Sequence, residues 1–452
     1  MQALLNEQKR YFDTGATRAL PFRREMLTRL ELALVRWEDQ FLAALREDLG
    51  KTPYEGYMSE LGQLLAEIRF ARKHLGKWAR PSRRPTPMSQ FPGRSTVYRE
   101  PYGVSLIMAP WNYPLLLTLA PLVSAIAAGC TAVVKPAEDA PATSHLLAQV
   151  LGEIYPRGYI AVVEGDRTAA EALLELPFDY IFFTGSPAVG RLVMAAAAKH
   201  LTPVTLELGG KSPVILAPDA DLELAAARIA WGKFLNAGQT CVAPDHVWVP
   251  TDLRGAFVAA LARQIRRFYG EDPLAGEDLP RIVNQKHFDR LTALMESGRV
   301  AVGGGTDPER LRIAPTILVN VTEDDPAMME EIFGPILPVL TYDSLPELIA
   351  RQQAKPRPLA LYLFTRSRDV ERAVLENLSF GGGCVNDTSV HLATPHLPFG
   401  GVGNSGMGAC HGKAGFDTFT HEKSVLKKGG LDIPVRYPPY GKKKVETLRK
   451  LL

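Results

Sequence analysis

Across residues 23–75 apolar side chains recur every three to four positions among charged ones, which gathers them on one helical face. The pattern predicts amphipathic helices over Arg23–Leu49 and Ser59–Leu75. From Pro81 to Gly93 proline and arginine take over, a composition incompatible with helix that predicts an exposed, extended arm able to reach a neighbouring subunit. Residues 102–134 contain no charged side chain and are long enough to cross a bilayer. Pro110, Asn112, Pro114, Pro121 and Gly129 divide that run into a strand (Val104–Met108), a loop, an apolar helix (Leu115–Ala128) and a second strand (Thr131–Val134). The expectation is a buried βαβ unit rather than a membrane span.

Strand and helix patterns then alternate: Tyr159–Val163, Ala169–Leu174, Tyr180–Phe183, Val189–His200 and Val204–Leu206. Such alternation predicts a doubly wound parallel sheet. After Gly209-Gly210, read as a domain hinge, it restarts with strand Pro213–Leu216, helix Leu222–Phe234 and strand His246–Val249. Further on, Leu359–Phe364, Asp369–Leu378 and Cys384–Asn386 repeat strand, helix, strand. The fold class expected is α/β, with two doubly wound parallel-sheet domains.

With 452 residues, 46% of them hydrophobic, the chain has material for two or three domains and a cleft between them. A formal net charge of +3 provides no global field for nucleic acid or an acidic membrane, which leaves a small molecule as the expected partner. Glu7, Gln8 and Lys9 stand where a secretory signal needs an apolar core. Four cysteines in so long a chain suit free thiols in a reducing, cytoplasmic setting. Neither C-x-x-C nor H-x-x-x-H spacing occurs, so no metal site is expected. The charge run Lys442–Lys444 reads as a solvated tail.

Gly401–Gly406 satisfies G-x-G-x-x-G, but without a preceding strand or a following helix it reads as a tight loop. Gly185 and Gly190 have phosphate-loop spacing, yet Arg191-Leu192 replaces the Lys-Ser/Thr pair that a triphosphate needs. Their strand–turn–helix setting could hold a pyrophosphate on exposed helix N–H groups; an ordinary capped βα turn fits equally well. Lys135 ends a strand, either as a ligand contact or as a solvated lysine. Among the thiols, Cys130 looks buried and inert, and Cys384 lies in an expected strand. Cys241 lies in a polar Gly-Gln-Thr-Cys loop where a thiolate nucleophile could form, with Cys410 the next candidate. Glu207 closes an apolar strand, where a carboxylate is costly unless it is paired or used. It is either a general base of raised pKa or half of a structural salt bridge.

These segments, in this order, resemble the aldehyde dehydrogenase superfamily. The matching stretches are Ala109-Pro-Trp-Asn-Tyr-Pro114, Val134-Lys-Pro136, Phe183-Thr-Gly-Ser186 with Val189-Gly190, Leu206-Glu-Leu-Gly-Gly-Lys211, Gly238-Gln-Thr-Cys241, Glu331-Ile-Phe-Gly-Pro335 and Pro398-Phe-Gly-Gly401. Cys241-Val-Ala-Pro-Asp245, Val385-Asn-Asp387, His411-Gly-Lys-Ala-Gly-Phe-Asp417 and Arg436-Tyr-Pro-Pro-Tyr440 are most similar to the class 3 branch of fatty, aromatic and coniferyl aldehyde dehydrogenases. The resemblance implies oxidation of an aldehyde, medium- or long-chain aliphatic or aromatic, to a carboxylic acid with NAD, NADP possible as well. Cys241 would be the nucleophile, Asn112 and the Cys241 N–H would hold the oxyanion, and Glu207 would activate the water that hydrolyses a thioester.

It further implies that Glu331 and Phe333 position the nicotinamide ribose and ring, that Lys135 contacts the adenosine ribose, and that Glu138 holds ribose hydroxyls and repels a 2′-phosphate. Gly185, Ser186, Val189, Gly190 and Leu208 complete the implied coenzyme contacts. Pro187 departs by removing one N–H donor from the phosphate turn. Tyr113, Trp231 and Phe234 are the implied aldehyde-pocket residues. The implied domains are 1–80 with 102–208 for coenzyme, 209–397 for the catalytic thiol, 81–101 with 416–438 as an oligomerisation β-arm, and 439–452 as a tail without a membrane anchor. A homodimer is expected. Transfer of the acyl group to coenzyme A, or a non-catalytic relative keeping the fold, are the alternatives.

Overall fold

The computed structural model describes residues 1–431 and 434–451. Residues 23–49 form two helices rather than one, Leu20–Arg36 and Glu38–Leu49, which meet at Trp37. Glu38 and Asp39 open the second helix, where acidic side chains favour a helix N-terminus. The next helical run opens with an α turn, Pro53–Gly56, passes through a π turn, Tyr57–Leu61, and continues over Gly62–Trp78. Leu27, Leu30, Phe41, Leu64 and Ile68 from these helices share one apolar cluster with Leu119, Val123 and Ile126 of helix Leu116–Ala128.

The uncharged stretch is the expected βαβ unit. Strands Val104–Met108 and Thr131–Lys135 are adjacent, parallel and buried along their whole length. No helix among the described residues is long and apolar enough to cross a membrane. Strand Ile160–Val162 lies outside Thr131–Lys135, while Tyr180–Thr184 and then Val204–Glu207 lie on the other side of Val104–Met108. The five parallel strands thus take the order 3-2-1-4-5, which reverses direction between the first and the fourth. Gly406–Met407 adds a short antiparallel strand beside Glu207.

A seven-stranded sheet holds Pro213–Leu216, His246–Pro250, Ala360–Phe364 and Gly382–Val385, together with Thr316–Val319 and Ile336–Tyr342. All of these pair in parallel, and Arg299–Val302 is an antiparallel edge. The proline-rich arm forms strand Ser82–Arg84, which pairs with Arg94–Pro101; the latter pairs with Thr420–Lys427 through eight residues. A three-residue 3-10 turn, Met88–Gln90, interrupts the stretch from which helix was excluded. Of the segment 416–438 assigned to the arm, residues 432 and 433 lie outside the described residues, as does residue 452 of the tail.

Candidate active site

Where a doubly wound sheet reverses its order, the loops leaving neighbouring strands part and open a crevice at the strands' C-terminal ends. Here the loop after Val104–Met108 carries Asn112 and Tyr113, and the turn after Tyr180–Thr184 carries Gly185 and Ser186. Ser186 caps helix Pro187–Ala198 by accepting from the Val189 N–H at 3.4 Å. Pro187 occupies the start of this helix, where an N–H has no partner within the helix. Gly190 faces Leu208 so closely that a Cβ would collide with the leucine methyls. Lys135, 6% exposed, donates to the Pro136 carbonyl at 2.8 Å, and its ammonium has further N–H groups to offer a ligand. Burial lowers its pKa, and the exposed Glu138 acts against that shift.

The loop before Cys241 is bound to Asn112 through backbone and amide groups. Asn236 takes φ 51°, and its Nδ2 donates to the carbonyls of Asn112 at 2.8 Å and Gln239 at 3.1 Å. Asn112 Nδ2 donates to the Gln239 carbonyl at 3.0 Å. The Tyr113 and Thr240 hydroxyls lie 2.6 Å apart. Behind them is a charge pair that the helical pattern did not single out: Lys51 Nζ lies 2.6 Å from Glu60 Oε1, with both side chains fully buried. Glu60 Oε2 accepts from the N–H groups of Leu115 and Leu116, while Lys51 donates to the Asn112 carbonyl at 3.1 Å. The ammonium also lies 4.0 Å from the Tyr113 ring centre.

Glu207 is 4% exposed, and the Cys410 thiol is the hydrogen-bonding group beside its carboxylate. It forms no ion pair among the described residues, so the salt-bridge reading has no partner. Burial pushes its pKa well up, and the neighbouring Cys410 thiol is the group that opposes this. The Cys241 thiol is pushed up to about 12 by burial and then by the charges of Glu331 and Glu207. The Cys241 thiol thus feels Glu331 and Glu207, and the Cys410 thiol feels Glu207 and Cys241.

The strand-closing glycines, read as a hinge, also form a cradle. The Glu331 carboxylate packs over Gly209, where a Cβ would overlap it. Burial raises Glu331 to about 8. Its segment is fastened by Lys211, whose Nζ lies 2.5 Å from Asp245 Oδ1 and donates to the carbonyls of Ala327 and Glu330 at 2.8 Å. Asp245 Oδ2 accepts from the Ile332 N–H at 2.9 Å. Phe333, at φ 52°, packs edge-on against Trp111 at 5.5 Å. Of the expected pocket residues, Tyr113 is 7% exposed, Trp231 is half-buried, and Phe234 is fully buried edge-on to Tyr269. The sequence reading missed Gln63, Glu67 and Leu392, which line a narrow cavity with His411.

Comparison with known proteins agrees with this architecture. The aldehyde dehydrogenase family model matches residues 2–425. A 4,4'-diaponeurosporen-aldehyde dehydrogenase of Staphylococcus aureus is 48% identical over 437 residues, covering 96% of this chain and 95% of the relative. Aldehyde dehydrogenase family 3 member B1 of Homo sapiens is 45% identical over 447 residues, covering 98% and 96%. Among solved structures, the substrate-bound state of Staphylococcus aureus AldH superposes with a TM-score of 0.97 at 46% identity, covering 99% of this chain and 98% of that one. A Mycobacterium tuberculosis aldehyde dehydrogenase complexed with NAD+ gives 0.85 at 30% identity, covering 95% and 90%. The chain belongs to the aldehyde dehydrogenase family, among relatives that include its family 3 members.

Proposed function

We propose that this protein oxidises an aldehyde, medium- or long-chain aliphatic or aromatic, to its carboxylic acid. The observation that carries the reading is Glu207, a buried strand-end carboxylate with no ion-pair partner among the described residues, with the Cys410 thiol beside it and its charge felt by the Cys241 thiol. As its thiolate, the proton having been released to water, Cys241 Sγ attacks the carbonyl carbon, and the carbonyl oxygen becomes an oxyanion held by Asn112 Nδ2 and the Cys241 N–H. Removing one such donor costs about 3–4 kcal/mol of transition-state stabilisation. Bound in the sheet crevice, a nicotinamide dinucleotide supplies the hydride acceptor that leaves a thioester on Cys241. Glu207 takes a proton from water, the hydroxide adds to the thioester carbon, the C–S bond breaks and the acid leaves.

The crevice suits that coenzyme. Lys135 offers N–H donors beyond its one bond to Pro136, Ser186 opens a helix whose N-terminus favours phosphate, and Gly190 with Leu208 brings that helix against the sheet. Glu331 and Phe333 would meet the nicotinamide ribose and ring. Glu138 would take the adenosine ribose hydroxyls and favour NAD over NADP. Exposed Met88, Phe91 and Leu426 on the arm support a homodimer, which light scattering tests, and four free cysteines suit the cytoplasm. Cys241→Ala should abolish NADH formation while coenzyme binding persists; undiminished turnover would refute the nucleophile. Glu207→Gln should give one burst of NADH and then stall, whereas steady turnover near the parent rate would remove Glu207 as the base.

A further inference from the structure

The segment that buries Lys51 and Glu60 buries a third charged side chain, Glu55, which is 7% exposed. Glu55 lies in the helical turn Pro53–Gly56. The Thr52 hydroxyl caps that turn by accepting from the Glu55 N–H at 3.2 Å, and the Ser59 hydroxyl donates to the Glu55 carbonyl at 2.7 Å. With its backbone fixed at both groups, Glu55 turns its side chain toward the thiol loop. There Oε1 accepts from the Asn236 N–H at 2.7 Å, a contact between residues 181 positions apart.

Asn236 opens a turn that few side chains adopt freely. Asn236 and Ala237 both take φ 51° and Gly238 takes 74°, so three consecutive residues between helix Leu222–Phe234 and Cys241 are left-handed. Alanine enters that region only where its surroundings hold it there. Gly238 is wedged against the segment after Glu331, since a Cβ would overlap the Gly334 carbonyl. Asn236 Nδ2 ties the turn to the Asn112 carbonyl, and the Gln239 side-chain amide donates back to the Asn236 carbonyl at 3.1 Å. These partners are neutral, whereas Glu55 is a carboxyl, and a bond to an ionised acceptor is roughly twice as strong as one between neutral groups.

Resting on the aldehyde-oxidation reading, we infer that Glu55 is a positioning residue for the first half of the reaction: its carboxylate holds the turn 236–238 and thereby sets the Cys241 loop against Asn112. The groups facing Glu55 decide when that carboxylate exists. Burial works against the charge most strongly, and the charges of Glu60 and Asp278 oppose it too. Lys51, which is paired with Glu60, and the Asn236 N–H favour it. The phenols of Tyr113 and Tyr269 also face Glu55, and burial keeps both protonated. Glu55 is thereby pushed up to about 7, which makes it a carboxylate above neutrality and an uncharged acid below it. As an acid it holds the Asn236 N–H less firmly, and the thiol loop loosens with it.

The test follows the first turnover of NADH formation by stopped flow, with benzaldehyde and saturating NAD, across acid and alkaline pH. It compares the parent with Glu55→Gln, which keeps the shape and an acceptor oxygen but not the charge. The ratio of the two rates cancels the titration of Cys241, which both proteins share. That ratio should be about tenfold or more above roughly pH 8, the scale of one charge-assisted hydrogen bond. It should narrow to about twofold or less below roughly pH 6, where the parent's own Glu55 is uncharged. The loss should fall on the rate at saturation and leave the KM for NAD unchanged. A ratio that is flat with pH, as a merely structural role would give, or a loss confined to KM, would overturn the inference. Should Glu55→Gln not fold, Glu55→Asp takes its place: its carboxyl is one methylene short of the Asn236 N–H, and a parent-like rate at alkaline pH overturns the inference. If no aldehyde yields NADH, the oxidation reading fails, and hydrogen exchange then decides the positioning by itself. The amides of residues 235–241 should exchange about tenfold faster in Glu55→Gln than in the parent, those of strand Val104–Met108 staying as they were; equal exchange in 235–241 overturns it.

Discussion

Glu60→Gln isolates the charge pair that stands behind Asn112. The substitution keeps the side chain's shape and an oxygen for the Leu115 and Leu116 N–H groups, yet leaves the Lys51 ammonium buried opposite a neutral amide. Breaking a buried pair by neutralising one partner costs roughly 3–5 kcal/mol, and the buried Glu55 carboxyl, which Lys51 also stabilises, keeps the loss at the lower end. For a folding unit of 150–250 residues, each kcal/mol moves the melting temperature by about 2–4 °C, so a fall of roughly 10 °C is expected. Replacing both partners, Lys51→Met with Glu60→Gln, should recover much of that loss, since neither partner is then a buried charge and the amide oxygen still accepts from the Leu115 and Leu116 N–H groups. The assay is thermal unfolding followed by tryptophan fluorescence for the parent, both single variants and the double variant, alongside NADH formation. Glu60→Gln should also lose activity, because an unpaired Lys51 no longer holds the Asn112 carbonyl in place. A melting temperature within about 2 °C of the parent, or a double variant worse than both singles, would refute the reasoning.

Two further expectations concern the thiol and the glycine cradle. The Cys241 thiol, pushed up to about 12 in the coenzyme-free protein, is mostly protonated at neutral pH, so its thiolate fraction rises about tenfold per pH unit below that value. Alkylation by iodoacetamide in a Cys410→Ala background should climb at that rate between about pH 6 and 9, and a plateau below pH 8 would contradict it. Gly209→Ala places a methyl group where the Glu331 carboxylate packs. The KM for NAD should rise at least tenfold with little change in melting temperature, and an unaltered KM would show that Glu331 does not depend on this contact.

The βαβ unit was legible because its signal is local: an unbroken apolar run cut by proline and glycine at the right intervals. Trp37 was harder, since the apolar repeat continues through it and only Glu38 and Asp39 mark a new helix start. The central strands Thr316–Val319 and Ile336–Tyr342 escaped notice, and the strand order of the second sheet is a pairing between distant segments that periodicity does not encode. In the site, Cys241 and Glu207 could each be defended or dismissed on local chemistry; what the sequence does not display is that Glu207 is buried with no ion-pair partner among the described residues. Lys51 and Glu60 were invisible for the opposite reason. A lysine and a glutamate near amphipathic helices look like surface charges until the packing that encloses both is known. Gly209 was read by its own freedom, whereas its role depends on a carboxylate from a far later segment.

The short strand Gly406–Met407 pairs with Glu207 and closes the first sheet from the late part of the chain. Cys410, which adjoins the Glu207 carboxyl, follows it directly. A ribosome that has delivered the five parallel strands of the first sheet and the whole of the second has therefore not yet delivered the strand that covers Glu207. Until Gly406–Met407 pairs, Val204–Glu207 is the open edge of the first sheet. A copy truncated before Gly406 would lack that pairing, however complete its five parallel strands.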